Sequence, residues 1–138
     1  MAAAKWGAPA SLSASLVTTE LDSLANAAET AVFTLDNSSD KYLYSSVTVK
    51  LGSITPSAGG SITLRVYVSD GTNVADKSGG GEAYTQILLS GASAKIVVFP
   101  MIRLYPFSLR LTITNNSGVS LNAADNDVYV RNYNEDVS

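Results

Sequence analysis

The chain has no cysteine and no histidine among its 138 residues. Without cysteine there is no disulfide, no thiolate metal ligand and no cysteine nucleophile. Without histidine, the commonest general base and zinc ligand at neutral pH is missing. No catalytic residue, cofactor site or metal site is therefore expected. Charge is also sparse: nine Lys and Arg against twelve Asp and Glu give a net −3, and only 15% of residues are charged. No basic field is available to neutralise phosphates, so nucleic acid is not expected as a partner. Long apolar runs are lacking too. The longest, Ile96 to Ile102, is interrupted by Pro100 and falls far short of the roughly 20 residues of a spanning helix, so no membrane is expected either. The first ten residues, MAAAKWGAPA, carry one Lys and no apolar segment, and are not expected to act as a signal peptide.

What the chain does contain is alternation. Phe107, Leu109, Leu111 and Ile113 alternate with Ser108, Arg110, Thr112 and Thr114, the period of a half-buried strand. Just before it, Ile96 to Phe99 is a short unbroken apolar run rich in β-branched residues, the pattern of a strand covered on both faces, and Pro100 and Pro106 bracket the crossing between the two. This pair is expected to form the core of the fold.

The same alternation recurs. It runs over residues 30–35, over 42–51 with Leu43, Val47, Val49 and Leu51 on one face, and over 62–69 with Ile62, Leu64, Val66 and Val68. A shorter strand follows at 84–89 and a last one at 128–133. Turn formers separate them: residues 36–40, Asp70-Gly71, Gly91 and residues 115–118. Residues 12–28 are ambiguous. Leu21, Leu24, Ala25 and Ala28 fit helical spacing with Thr18 or Thr19 as cap, but a strand over 11–18 followed by an irregular stretch with Leu21 and Leu24 as inward plugs fits a chain that offers only sheet to pack against, and this version is expected. The polar, glycine-rich segment 70–82 reads as a mobile surface loop.

At this length one domain is expected. The fold class is all-β: about eight antiparallel strands in a β-sandwich or jelly roll, over residues 11–134, with a flexible N-terminal arm at 1–10 and a frayed tail at 135–138.

Candidate sites are few. Asp36, Ser38 and Asp40, then Asp70, Asn73 and Asp76, then Asp125, Asn126 and Asp127, present oxygens that suit calcium, but none follows the EF-hand pattern, and turn chemistry accounts for all three. The glycines at 79 to 81 lack the Lys-Ser/Thr continuation of a phosphate loop. Tyr42, Tyr44, Tyr67, Tyr129 and Tyr133 fall on the polar phase of their strands, where rings serve as a partner-contact patch or simply pair across a solvated sheet. Trp6, on the arm, is expected to find a groove on its own domain or on a neighbour. Arg103 and Arg110 are secondary contact candidates.

The segments TTELDSLANAAETAVFTLDNSSDKYLYSSVTVKLGS, SITLRVYVSDGTNVAD, AKIVVFPMIRLYPFSLRLTITNNSG and NDVYVRNYNED, in that order, resemble a group of small tailed-bacteriophage virion proteins, the head decoration or cement proteins with a jelly-roll-like fold. The resemblance runs from about Leu16 to Tyr133, and it is carried by scaffold motifs rather than site motifs. It implies a non-enzymatic capsid decoration protein, made in the host cytoplasm and located on the capsid exterior. There it would form homodimers or homotrimers and bridge subunits of the major capsid protein. A carbohydrate- or receptor-binding module of a tail or fibre is the alternative.

Overall fold

The computed structural model describes residues 4–77 and 81–137. The described residues contain no helix and nine strands: β1 Ala4–Trp6, β2 Phe33–Asp36, β3 Tyr44–Ile54, β4 Ser61–Tyr67, β5 Glu82–Ile87, β6 Ser93–Arg103, β7 Ser108–Asn116, β8 Asp127–Tyr133 and β9 Glu135–Val137. All pairings are antiparallel. One sheet has the order β2-β7-β4-β5, a second β6-β3-β8, and β1 pairs with β9 in a small ribbon.

The alternation explains the layers. Leu109, Leu111 and Ile113 from β7, Ile62, Leu64 and Val66 from β4, and Phe33 and Leu35 from β2 are buried on one side of the core. They meet Val47, Val49 and Leu51 from β3, Val97, Phe99 and Ile102 from β6, and Val128 and Val130 from β8. Each such side chain contributes about 1.5–3 kcal/mol by leaving water, and together they hold two sheets face to face in a sandwich. Val17, Leu21, Leu88, Leu104 and Leu121 join the same cluster from the connecting segments.

Two expectations about the strands are corrected. Strand β6 does not stop at Pro100; it runs through it for 11 residues. Among the described residues its only paired neighbour is β3, so it is an edge strand, a position where a proline is tolerated. At Pro100 and Met101 the register with β3 shifts, two residues of β6 standing against one of β3, a bulge. The two strands β6 and β7 are not paired with one another. They belong to opposite sheets, and residues 104–107 carry the chain from one to the other.

The arm and the tail also differ from a free, frayed picture. Ala4, Lys5 and Trp6 pair in register with Val137, Asp136 and Glu135. From there residues 7–16 run extended along β8, with the backbone N–H of Gly7, Ala10, Ser13 and Leu16 donating to the carbonyls of Asn134, Asn132, Val130 and Val128. The Ser13 and Ser15 Oγ atoms accept from Val130 N and Val128 N. The expected strand over 11–18 is not formed: the segment lies along β8 with one backbone hydrogen bond every third residue, and it covers the edge of β8. Residues 20–23 form turns and no helix. Residues 1–3 of the arm, 78–80 of the loop and Ser138 of the tail lie outside the described residues.

Candidate functional site: the outer face of the three-stranded sheet

Alternation that sends Val47, Val49 and Val130 inward sends their neighbours outward, and the register sets them in four rows. Ile96, Lys50 and Asp127 form the first; Val98, Thr48 and Tyr129 the second; Pro100 and Met101 with Ser46 and Arg131 the third; Arg103, Tyr44 and Tyr133 the fourth. The β6 column is apolar and open to solvent: Ile96 is 63% exposed, Val98 42% and Met101 49%. Residues 96–99 are thus covered on one face only, against expectation. Both faces of β6 carry apolar side chains, so the sequence shows a continuous run where the structure has an inside and an outside.

At the fourth row three rings meet. Tyr44 and Tyr133 stack with centroids 5.5 Å apart and planes 25° from parallel, and Trp6 stands edge-on to both, at 5.8 and 5.5 Å. Edge-to-face and offset contacts of this kind are worth about 0.5–1.5 kcal/mol each beyond area burial. The Tyr133 hydroxyl donates to the Pro100 carbonyl at 2.7 Å; the Tyr44 hydroxyl donates to Glu135 Oε1 at 3.1 Å. That bond to a carboxylate raises the Tyr44 pKa, and burial raises that of Tyr133. Trp6 finds a groove on its own domain, yet stays 56% exposed. Trp6, Gly7, Pro9, Pro100, Met101 and Tyr133 line an open cleft of about 380 Å³. In the second row Tyr129 carries Lys50 Nζ 6.0 Å above its ring, a cation–π geometry.

The structure therefore brings together Trp6, Tyr44, Tyr129, Tyr133 and Arg103. It separates the other three candidates. Arg110 projects from β7 on the opposite sheet, beside Ser108 and Phe107. Tyr42 is half-buried against the core, its backbone held by Asn37. Tyr67 is 1% exposed: its hydroxyl donates to Glu29 Oε2 at 2.7 Å, and Gly81 lies on its ring so closely that a Cβ there would come within 2.9 Å of Cε1. Ile96, Val98 and Met101 were not among the sequence-based candidates. Pro100 was the available signal, because a proline inside a strand run marks an edge.

Asp36, Asp70 and Asn126 are engaged within or next to their own turns. Asp36 Oδ1 accepts from Ser38 N, Ser38 Oγ and Ser108 Oγ. Asp70 Oδ1 accepts from Thr72 N and Asn73 N, and Oδ2 from Asn73 Nδ2, bonds that pull its pKa down to about 2. Asn126 is buried and donates to Asp22 Oδ1 and Asn122 O while accepting from Gly52 N. Among the described residues no group of three or more acidic side chains gathers closely enough to hold a metal ion.

No protein-family model matches the chain, and no curated protein matches it either.

Proposed function

We infer that the protein is a non-enzymatic structural subunit of a bacteriophage virion, a decoration protein that binds the outside of the assembled shell and bridges major capsid subunits. The observation that carries this reading is the apolar column of β6, with Ile96, Val98 and Met101 open to solvent, running toward the ring cluster of Trp6, Tyr44 and Tyr133 on the outer face of the three-stranded sheet. Exposed patches of this kind mark protein interaction sites. The strand orders support it as well. The order β2-β7-β4-β5, with β6-β3-β8 extended by residues 7–16 along β8, suits a jelly roll, an architecture common in viral capsid proteins. A subunit that binds only the assembled lattice stabilises that lattice by mass action. Trp6, half out of water at one end of the face, is the anchor of choice for the shell.

The test is co-sedimentation with empty expanded shells of the encoding phage. Trp6→Ala is the variant to use, because deleting residues 1–10 would also strip the hydrogen bonds that residues 7–10 make to the edge of β8. Wild type should sediment with shells and Trp6→Ala should bind at least tenfold more weakly. Wild type that stays in the supernatant overturns the reading. The cleft beside Trp6 favours a second reading, a carbohydrate- or receptor-binding module of a tail or fibre; glycan-array binding lost in Trp6→Ala would replace the first reading with it.

A further inference from the structure

We infer that the cleft between the 69–74 turn and the start of β7 is a binding site for a carboxylate-bearing sugar, a uronic acid unit, with Arg110 holding the carboxylate and Phe107 forming the wall for the sugar ring. The cleft shares no residue with the one beside Trp6 and opens at the four-stranded sheet, so the inference depends on neither reading given above.

Three stretches distant in sequence build the cleft. The turn after β2 brings Ser38, the turn after β4 brings Ser69 and Thr72, and the crossing from β6 into β7 brings Phe107, Ser108 and Arg110. Together they surround an open space of about 390 Å³, at the small end of the range of about 300–1,000 Å³ for small-molecule sites. The wall is shaped before any guest arrives. Ser69 and Val74 pair across the turn, and Asp70 Oδ1 accepts from the N–H of Thr72 and of Asn73. Gly71, at φ 96°, lies so near Phe107 that a Cβ there would stand 3.2 Å from Cδ1 and from Cε1. Glycine suits both that backbone conformation and that approach, so turn and ring form one preorganised surface.

The direction of the hydrogen bonds defines the guest. Ser38 Oγ and Ser108 Oγ both donate to Asp36 Oδ1, which leaves them acceptor lone pairs to offer the cleft. Ser69 Oγ accepts from Gly71 N and keeps its own proton to donate. Thr72 adds another hydroxyl. Alternation with Leu109 and Leu111 sends Arg110 outward, and among the described residues its guanidinium makes no hydrogen bond and no ion pair. An unmatched guanidinium takes a planar carboxylate through two parallel hydrogen bonds. The serine acceptors take sugar hydroxyls, and the C–H face of the sugar lies on the ring of Phe107. A doubly charged phosphate suits the cleft less well. Asp36 stands behind the two serines, its pKa lowered by Ser38 first and then by Ser108, and this anion repels a second negative charge on the guest. A neutral sugar leaves the guanidinium without its counterpart. One exposed fork and one ring make a weak site, with a Kd of about 1–10 mM that rises with salt.

The test is titration of the full, isotope-labelled chain with sodium glucuronate up to about 50 mM, followed through its amide resonances. Glucose and sodium acetate, at matched ionic strength, are the comparison probes. Saturable shifts confined to residues 69–74 and 107–110 are expected with glucuronate, and binding of glucose and of acetate should be at least fivefold weaker. Arg110→Gln should weaken glucuronate at least tenfold and bring it level with glucose, and Thr72→Val should weaken it severalfold. Both positions are exposed, so both variants should keep the thermal unfolding midpoint. Trp6→Ala should leave the binding unchanged. Absence of a saturable shift, shifts centred on Trp6, or glucuronate binding that Arg110→Gln leaves intact would overturn the proposal. So would glucose or acetate binding as tightly as glucuronate, the first by removing the carboxylate from the recognition and the second by removing the sugar. Shell binding is read separately by co-sedimentation, and its failure leaves this site standing.

Discussion

The Tyr133 hydroxyl, on β8, reaches past the intervening strand β3 to donate to the carbonyl of Pro100 on β6, at 2.7 Å. One side chain thus ties both outer strands of the sheet together at the bulge that lifts Met101 into solvent. Tyr133→Phe removes only this bond and should cost about 0.5–1.5 kcal/mol in urea unfolding. Tyr133→Ala also removes the stack on Tyr44 and the edge contact with Trp6, and should cost about 1–3 kcal/mol more. The tryptophan fluorescence of Tyr133→Ala should report a more exposed indole; an unshifted spectrum would contradict the three-ring contact.

Asn37 should be among the least replaceable polar residues. It is fully buried, donates through Nδ2 to the carbonyls of Tyr42 and Tyr105, and accepts at Oδ1 from Tyr42 N. It therefore joins the loop after β2 to the segment that carries the chain from β6 to β7. Asn37→Ala leaves three backbone groups without their partner and should destabilise by about 2–4 kcal/mol. Asn37→Asp should be no better, because it places acceptors against two carbonyls. Chemical denaturation of both variants checks this.

Ala27 offers the opposite sign. It sits at φ 67°, in the left-handed region that disfavours a Cβ, and its N–H donates to the Asn115 carbonyl at 2.6 Å. Ala27→Gly relieves the backbone strain and keeps that bond, so a gain of about 0.5–1 kcal/mol is expected even after the added freedom of glycine in the unfolded chain. A lower thermal midpoint would contradict it.

Asp70 should titrate well below the ordinary carboxylate range. Its folded pKa is held down at about 2 by the backbone N–H and side chain of Asn73 and by Thr72 N. A depressed carboxylate stabilises the fold above its unfolded pKa, and that contribution is lost as pH falls toward about 2. The Asp70 side-chain resonance should move with a midpoint near that value, and Asn73→Ala should raise the midpoint.

Tyr84 provides the alkaline counterpart. Burial first, and then the hydroxyl's bond to Glu82 Oε2, push its pKa up to about 12. An acid with a raised folded pKa stabilises the fold below its unfolded pKa, near 10, and loses that contribution as pH climbs through about 12. In a spectrophotometric titration Tyr84→Phe should remove a phenol that ionises near 12; an unchanged high-pH limb would refute the assignment.

The sequence made β7 plain because the core takes one phase of it and mostly polar residues fill the other, so burial and periodicity coincide. It hid the character of β6 because Ile96 and Val98 are as apolar as Val97 and Phe99, and a pattern with no contrast has no visible period. Tyr67 shows a different limit. It stands on the polar phase of β4, and what buries it is Gly81 lying on its ring and Glu29 accepting its hydroxyl, neither of which its own strand announces. Trp6 was legible as a contact residue, but its ring partners come from β3 and from the far end of the chain. Pairing between residues 4–6 and 135–137 leaves no mark in either segment alone, and the arm and tail therefore read as loose ends.

That ribbon has a practical consequence. Ala4 and Val137 face each other across an antiparallel pair, about 5 Å apart at Cα, so β1 and β9, far apart in sequence, lie side by side. A short glycine linker from residue 137 to residue 4 closes the chain without disturbing either sheet, and new ends opened at the Gly71 turn give a circular permutant that keeps every pairing between the strands.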